Sequence, residues 1–365
     1  MTGLDAPASG IRMSLGASRP LPALLVLVAV LALVLGGLWA GAESHGPPTS
    51  PGPGDAALYR RVVDDIRGGA TYYQAAAQEQ RRNGYPMRPF VVVRPPLLAV
   101  TMAVLPNELA RSLALDALGL ATVVAWGWRL ARMGVGKLEL AAGGILLATG
   151  VSVTFASSAY LFHETWAGLL IALSLALRRP ERWAASLCIG LLAALTRELA
   201  AAYLLAMAAL AWRDGCRREA LAWLAALAAV AVALVAHAAA VEAQMFPGDR
   251  ASQSWLNIGG WRFVLAAIRW NTVLLNAPRW AAAVVAPFAL LGLAAWRGPL
   301  GERLALTVFG YVAAFVFVGR PENHYWGLLI APLWPLGLVL APTALATLCR
   351  SLSPHGPGLA TLTSP

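Results

Sequence analysis

Long runs of apolar residues, separated by short connections, are the feature that most restricts what this chain can fold into. The first run extends from Pro20 to about Ala42, and a series of further runs follows residue 106. A helix needs about 20 apolar residues to cross a bilayer. The runs are continuous rather than alternating, which favours membrane helices over a β-barrel. The sequence therefore predicts an all-α integral membrane protein.

Composition agrees with this interpretation and narrows the choice of partners. Hydrophobic residues make up 59% of the chain and charged residues only 13%, whereas soluble domains carry about 25% charged residues. The formal net charge is +10. In a membrane protein, arginines at cytoplasmic helix ends and contacts with lipid headgroups account for such a charge, so we expect no nucleic-acid partner. Cys188, Cys216 and Cys349 are scattered and predict neither a disulfide framework nor a metal site.

We predict about ten transmembrane helices in total. After the first, at 20–42, the predicted spans are about 107–131, 138–156, 160–178, 182–195, 198–212, 219–241, 277–296, 303–319 and 325–347. The apolar piece Leu97–Leu105 ends at Pro106 and is too short to cross a bilayer. We therefore expect it to be interfacial or re-entrant.

Arginines cluster in alternate short connections, and the positive-inside rule then places both termini in the cytoplasm. The predicted organisation is a cytoplasmic tail 1–19, a first transmembrane helix 20–42, an extracytoplasmic loop 43–106, a polytopic bundle 107–347 with an outer loop 242–276, and a cytoplasmic tail 348–365. Ala40-Gly41-Ala42 resembles a signal-peptidase site, but the apolar run is longer than usual for a signal peptide and favours an uncleaved anchor. Abundant alanine, arginine and tryptophan with almost no lysine is typical of a high-GC bacterial genome. We expect the chain to lie in the bacterial inner membrane.

The polar segment 54–96 is the main place where aqueous chemistry could occur. Asp55 opens an amphipathic run and is either a helix N-cap or a base that takes a proton from a hydroxyl. Asp64 and Asp65 follow in the same run among arginines, which favours a solvated, ion-paired face. Tyr85 is an expected interfacial aromatic. Arg94 precedes two prolines and is either a phosphate ligand or an interfacial arginine that reaches toward water.

Three later connections place ionisable groups at the predicted outer boundary of the membrane. They are His163-Glu164, Thr196-Arg197-Glu198 and the connection GRPENHYWG at 319–327. Ionisable groups so close to hydrocarbon are costly and are candidates for a functional site. The alternatives are a helix-end imidazole at His163, a local ion pair at Arg197-Glu198 and an interfacial turn at 319–327.

At these positions the chain resembles the GT-C superfamily of polytopic glycosyltransferases, which use polyprenyl-phosphate sugars at the outer membrane face. The resemblance rests on one N-terminal span, a large first outer loop with amphipathic helices and an acid near its start, and many later spans. The matching pieces are Gly54-Asp55 with Tyr59, Gly84-Tyr85-Pro86, Arg94-Pro95-Pro96, Thr196-Arg197-Glu198 and Asn323-His324-Tyr325-Trp326.

The resemblance implies roles for individual residues and for partners. Asp55 would be the catalytic base, with Asp64, Asp65 and Glu164 as alternative acids. Arg94, Arg197 and Arg320 would hold the donor phosphate, and substrate contacts would come from Tyr59, Tyr85, His163, Glu198, Glu322, His324 and Tyr325. The donor would be an undecaprenyl- or decaprenyl-phosphate sugar, and the acceptor an envelope glycan, lipid or protein. The outer acids are few and spread out, which favours a reaction without a metal or another cofactor.

Two other classes of protein remain open from the residues alone. A transporter or flippase for a lipid-linked or anionic solute would use the same arginines without a base. A structural or assembly subunit would not need the clustered outer charges. The sequence contains no P-loop, no GxGxxG after a predicted strand, no HExxH and no GxSxG. We therefore expect no nucleotide substrate.

Overall fold

The computed structural model describes residues 20–42 and 54–353, and these residues are helical, without a β-sheet. The α-helices are α1 (Pro20–Ala42), α2 (Gly54–Arg67), α3 (Tyr72–Arg82), α4 (Pro96–Val104), α5 (Glu108–Arg132), α6 (Lys137–Val151), α7 (His163–Leu177), α8 (Ala184–Thr196), α9 (Ala201–Arg213), α10 (Arg217–Glu242), α11 (Gly260–Trp270), α12 (Arg279–Ala295), α13 (Pro299–Phe317) and α14 (Ala341–Leu352). Short 3-10 helices occupy Phe90–Val92, Ser152–Phe155, Ala159–Leu161, Glu198–Ala200, Val273–Asn276, Pro321–Leu329 and Trp334–Val339. The all-α prediction is confirmed.

Five helical segments in the described residues are long and apolar enough to cross a membrane. They are Pro20–Ala40, Glu108–Arg132, Lys137–Phe155, Arg217–Glu242 and Pro299–Phe317. Four others are apolar but shorter: Phe90–Val104, His163–Leu177, Ala184–Thr196 and Arg279–Ala295. At 1.5 Å per residue, a helix of 15 residues covers about 22 Å, less than the 30 Å of a hydrocarbon core. The prediction of about ten spans is therefore not confirmed.

The predicted span 325–347 is wrong as a single helix. Two 3-10 helices, Pro321–Leu329 and Trp334–Val339, precede α14, which begins at Ala341. Pro332, Pro335 and Pro342 interrupt this stretch. Proline lacks an amide hydrogen and its ring clashes with the preceding turn, so an apolar run that contains three prolines does not form one straight α-helix.

The predicted loop 43–106 contains amphipathic helices, as expected, in its described part from residue 54 onward. In α2 the buried residues are Leu58, Val62 and Val63, which share one face and pack toward α4. The hydroxyl of Thr71 accepts a hydrogen bond from the amide of Gln74 and caps α3. Residues 43–53, the predicted tail 1–19 and residues 354–365 of the predicted C-terminal tail lie outside the described residues.

We name α2, α3 and α4 the outer group. The remaining helices form a bundle beneath it. Helix α1 contacts α11, α12 and α14, and the indole Nε1 of Trp261 donates a hydrogen bond to the carbonyl of Leu33 at 2.9 Å. Helix α11 lies within the predicted outer loop 242–276, and its buried face, which includes Phe263 and Val264, packs on the bundle.

One close backbone approach positions the residues described below. A Cβ atom on Gly168 of α7 would lie only 2.1 Å from the carbonyl oxygen of Leu328. Only glycine therefore allows α7 to contact the Pro321–Leu329 helix at this distance. Glu164 lies one turn before Gly168 on α7, and Tyr325 lies one 3-10 turn before Leu328. The contact therefore brings the side chains of Glu164 and Tyr325 close together.

Candidate active site

A cavity of about 840 Å³ lies between the outer group of helices and one end of the bundle. Ten of the predicted site residues line it: Asp55, Tyr59, Tyr85, Arg94, Arg197, Glu198, Arg320, Glu322, His324 and Tyr325. They come from segments separated by up to about 270 positions in the chain. The cavity thus collects residues from three of the four connections that the sequence singles out, and Phe162 and Thr165, which flank His163-Glu164, also line it.

Asp55 occupies the first turn of α2 and faces the cavity. The hydroxyl of Tyr85 donates a hydrogen bond to Asp55 Oδ1 at 2.8 Å. Gly84, with a φ of 69°, takes the left-handed conformation that turns the chain from α3 toward Tyr85. Burial, and then the charge of Asp55, raises the pKa of Tyr85 above its usual value. The phenol therefore stays protonated and serves as the donor to the carboxylate.

Arg94 is held from several sides, with its side chain only 12% exposed. Its Nε donates to the hydroxyl of Tyr59 at 3.2 Å, and its Nη2 donates to the hydroxyl of Tyr325 at 2.9 Å. Tyr72 donates from its hydroxyl to the Arg94 carbonyl. Because the guanidinium is directed into the cavity and bound there, its geometry differs from that of an interfacial arginine reaching for water.

Glu164 lies beneath the cavity floor, and its side chain is 1% exposed. Its Oε1 is 2.6 Å from Arg197 Nε and 3.9 Å from Arg94 Nη2. Arg197 also forms an ion pair with Glu198, the local pair that the sequence left open as an alternative. The pairing with Glu164 connects α7 to the turn after α8, which a purely local pair would not do.

The connection at 319–327 forms the opposite wall. Arg320 Nε is 3.3 Å from Glu322 Oε1, and its guanidinium lies 6.0 Å from the ring centroid of Trp255. The buried amide of Asn271 donates to the carbonyl of His324 at 2.7 Å. Asn271 thus holds the backbone that carries His324 and Tyr325.

Four predicted residues do not line this cavity. His163 is buried with its ring centroid 5.3 Å from that of Tyr59, and it lines a small neighbouring cavity of about 30 Å³. Glu164 lies beneath the floor, as described. Asp64 and Asp65 lie about 14 Å farther along α2 than Asp55. The cavity therefore brings Asp55 together with the arginines and separates Asp64 and Asp65 from them.

Several lining residues were missed in the sequence, among them Gln80, Asn83, Ser252, Trp255 and Asn271. Gln80 lies in α3, Asn83 directly follows that helix, and the other three lie in the predicted outer loop 242–276. Two backbone contacts tie these segments together: the Met87 amide donates to the Arg250 carbonyl at 2.9 Å, and the Ser252 amide donates to the Arg88 carbonyl at 2.6 Å. The only sequence signal was an isolated tryptophan, Trp255, in a polar stretch, and that signal does not indicate a site.

The charges of the cavity are closely balanced. Arg94, Arg197 and Arg320 each lie within 4 Å of a carboxylate oxygen. The carboxylates hold the arginines in fixed positions, away from water. Charges that are fixed in this way need little rearrangement to bind an anion. Among the described residues, no group of three or more His, Cys, Asp or Glu side chains is placed to hold a metal ion. The expectation of a metal-independent site stays a prediction.

No family model, curated protein or solved structure matches this chain. The resemblance to GT-C glycosyltransferases therefore stays a prediction that rests on the residues themselves.

Proposed function

We propose that this chain is a membrane glycosyltransferase that moves a sugar from a polyprenyl-phosphate carrier to an acceptor hydroxyl at the outer face of the membrane. The observation that carries the proposal is one cavity that contains both a carboxylate and fixed guanidinium groups. Asp55 and Tyr59 are one turn apart on α2, and Arg94 donates to Tyr59, so the acid and the arginine lie on the same side of that helix.

In the proposed reaction, the carboxylate and the arginines have different roles. The acceptor hydroxyl attacks the anomeric carbon of the donor sugar, and its proton passes to the Asp55 carboxylate. The bond between the anomeric carbon and the phosphate oxygen breaks, and polyprenyl phosphate leaves with the electron pair. Arg94, Arg197 and Arg320 stabilise the charge that grows on this phosphate, a role in which removal of one donor costs about 100- to 1,000-fold in rate.

The dimensions of the cavity support a substrate of this kind. Ligand cavities for small molecules range over about 300–1,000 Å³, and a volume of about 840 Å³ accommodates a sugar phosphate together with an acceptor group. Because the cavity adjoins short apolar helices, the hydrocarbon part of a lipid-linked donor would remain in the bilayer.

The test is sugar transfer by the purified full-length protein in detergent, supplied with a panel of polyprenyl-phosphate sugars and crude membrane acceptors. Asp55→Asn is compared with wild type, and Asp64→Asn serves as the matched control because Asp64 is an exposed acid on the same helix. We expect Asp55→Asn to lose at least about 100-fold in rate at unchanged thermal stability, and Asp64→Asn to retain activity. Equal rates for all three proteins would remove Asp55 from the proposed role.

A transporter or flippase for an anionic or lipid-linked solute is the second candidate. The observation that favours it is the carboxylate beside each arginine, because such pairs can release and recapture an anion without any chemical step. If no donor yields transfer but a polyprenyl phosphate raises the melting temperature of wild type and Asp55→Asn equally, the transporter replaces the enzyme.

A further inference from the structure

A second cluster of arginines lies at the end of the bundle opposite the cavity, where the chain leaves α5 and α7. Two guanidinium groups stack on the indole of Trp128, that of Arg132 at 4.9 Å from the ring centroid and that of Arg179 at 4.4 Å. Because both groups lie so near one ring, their central carbons are no more than about 9.3 Å apart. Arg129 also interacts electrostatically with Arg178 and Arg179. We name Trp128, Arg129, Arg132 and Arg179 the tryptophan–arginine cluster.

The negative charge in its neighbourhood does not balance this concentration of arginine. Arg178 is paired with Glu219, with its Nη2 2.7 Å from Glu219 Oε2. The C-termini of α5 and α7 each supply about half a negative charge. The other three arginines therefore retain about two positive charges, or about one if the exposed Glu181 is counted. Among the described residues, no carboxylate oxygen lies within 4 Å of Arg129, Arg132 or Arg179, and Arg129 Nε is buried without a hydrogen-bond acceptor.

The position of the cluster connects it with the bilayer. Helix α5 begins at Glu108, which pairs with Arg60 of the outer group at 2.9 Å, and Trp128 lies about 30 Å farther along the helix. That length equals the thickness of a hydrocarbon core. Tryptophan is enriched at the level of the headgroups, and Trp128 is 37% exposed. The cluster thus lies where the opposite headgroup layer begins.

The surface next to the cluster indicates which anion it would hold. Leu120 and Val124 precede Trp128 at steps of four residues on the same face of α5, and they are 65% and 60% exposed. An apolar stripe of this kind fits acyl chains, and it leads directly to the guanidinium groups. A free phosphate would make no use of the stripe.

We propose that the tryptophan–arginine cluster is a binding site for an anionic phospholipid, with the headgroup phosphate between Arg132 and Arg179 and the acyl chains along Leu120 and Val124. The planar guanidinium group can donate two hydrogen bonds to a phosphate. Trp126, two residues from Trp128, donates from its indole to the carbonyl of Ala172 in α7 at 2.9 Å. A lipid held by Arg132 of α5 and Arg179 after α7 therefore stabilises this helix pair. The site does not depend on the proposed transferase activity.

The experiment measures lipid adducts by native mass spectrometry and melting temperature, using the full-length protein in neutral detergent with added dioleoylphosphatidylglycerol. We expect Arg132→Gln and Arg179→Gln each to weaken binding about five-fold, and the double variant about 25-fold, because an arginine near anionic lipid contributes about that factor. Arg217→Gln is the matched control. Arg217 stacks on Trp212 at 3.9 Å at the same end of the bundle, and within 20–42 and 54–353 no second guanidinium group stacks on that indole.

The comparison lipids decide between the outcomes. Dioleoylphosphatidylcholine, which carries no net charge, is expected to leave the melting temperature unchanged, and inorganic phosphate is expected to protect far less than the anionic lipid. Equal binding of the anionic lipid to wild type and to both single variants would overturn the proposal, as would equal protection by phosphatidylcholine. Equal protection by inorganic phosphate would show an anion site without a lipid. The single variants keep the test informative if the double variant does not fold.

Discussion

The two ends of the helical bundle both contain buried arginine–glutamate pairs, but they differ in what surrounds the pairs. At the cavity end, Arg197 and Arg94 lie beside Glu164 below about 840 Å³ of open space. At the opposite end, Arg178 and Glu219 form two hydrogen bonds of 3.0 and 2.7 Å, and neither residue lines that cavity. The same kind of ion pair is therefore enclosed by protein at one end, whereas at the other end its arginine lines a cavity, where we propose that it binds a ligand.

The largest loss of unfolding free energy that we expect comes from removing the acid of a buried pair, and we compare this loss between the two ends. Glu219→Gln leaves Arg178 buried and unpaired, and breaking a buried pair costs about 3–5 kcal/mol of unfolding free energy. Glu164→Gln is expected to cost less, because Arg197 keeps Glu198 and Arg94 keeps the hydroxyls of Tyr59 and Tyr325. Chemical denaturation in detergent measures both values. Equal losses would contradict the distinction between the two ends.

An arginine substitution at each end separates catalysis from stability. Arg94→Gln removes a cavity guanidinium and is expected to lower sugar transfer by about 100- to 1,000-fold. Arg213→Gln, which removes an exposed arginine paired with Asp214 and Glu302 at the opposite end, is the matched control and is expected to leave transfer unchanged. Rates are measured at equal concentrations of folded protein. Similar losses in both variants would mean that the cavity arginine has no special role.

The close approach of α7 to the Pro321–Leu329 helix offers a test of the cavity end alone. Gly168→Ala forces a Cβ against the Leu328 carbonyl, and overpacking of this kind costs about 1–3 kcal/mol and displaces Glu164 from its partners. Gly310→Ala is the control. Apart from the backbone of its own helix, no described residue comes within 4 Å of a Cβ placed there, so alanine is expected to be neutral or slightly stabilising in this helix. Thermal unfolding measures whether Gly168→Ala lowers the melting temperature while Gly310→Ala leaves it unchanged or raises it slightly.

The smallest effect concerns an ion pair that fixes the wall of the cavity. Asp249 accepts from Arg81 at 2.7 and 2.8 Å, and this hydrogen bonding lowers the pKa of Asp249 to about 2. Because the unfolded pKa is about 3.9, the pair contributes fully above that pH and loses its contribution as the pH falls toward 2. Arg81→Gln is expected to cost about 1–2 kcal/mol at pH 7 and much less near pH 2.

The control for that titration is Arg250→Gln, which removes an exposed arginine whose guanidinium donates to the carbonyl of Gly84 at 3.2 Å. A carbonyl does not titrate in this range, so the loss of unfolding free energy caused by Arg250→Gln should be the same at both pH values. A cost of Arg81→Gln that does not change with pH would contradict the assignment of the pair.

Much of the architecture was predictable because it follows from local patterns. The apolar runs of α1, α5 and α10 fixed membrane-length helices, and the period of Leu58 and Val62 fixed the amphipathic face of α2. The prediction of one span at 325–347 is wrong. A mean hydropathy over the run hides its prolines, but each proline lacks the amide hydrogen that a continuous α-helix needs. The short helices α8 and α12 were likewise read as full spans, although their lengths cover less than a bilayer.

The sequence by itself determined that this chain is helical, with several helices long and apolar enough to cross a membrane, and which ionisable residues interrupt the apolar runs. Both depend only on composition and local period. Only the tertiary structure decided that Tyr85 donates to Asp55, that Glu164 lies between Arg94 and Arg197, and that Arg132 and Arg179 share Trp128. Apart from that of Arg132 with Trp128, four residues away, these contacts join positions at least 30 residues apart in the chain. They are fixed by how closely helices approach, as at Gly168, and no local pattern encodes that distance.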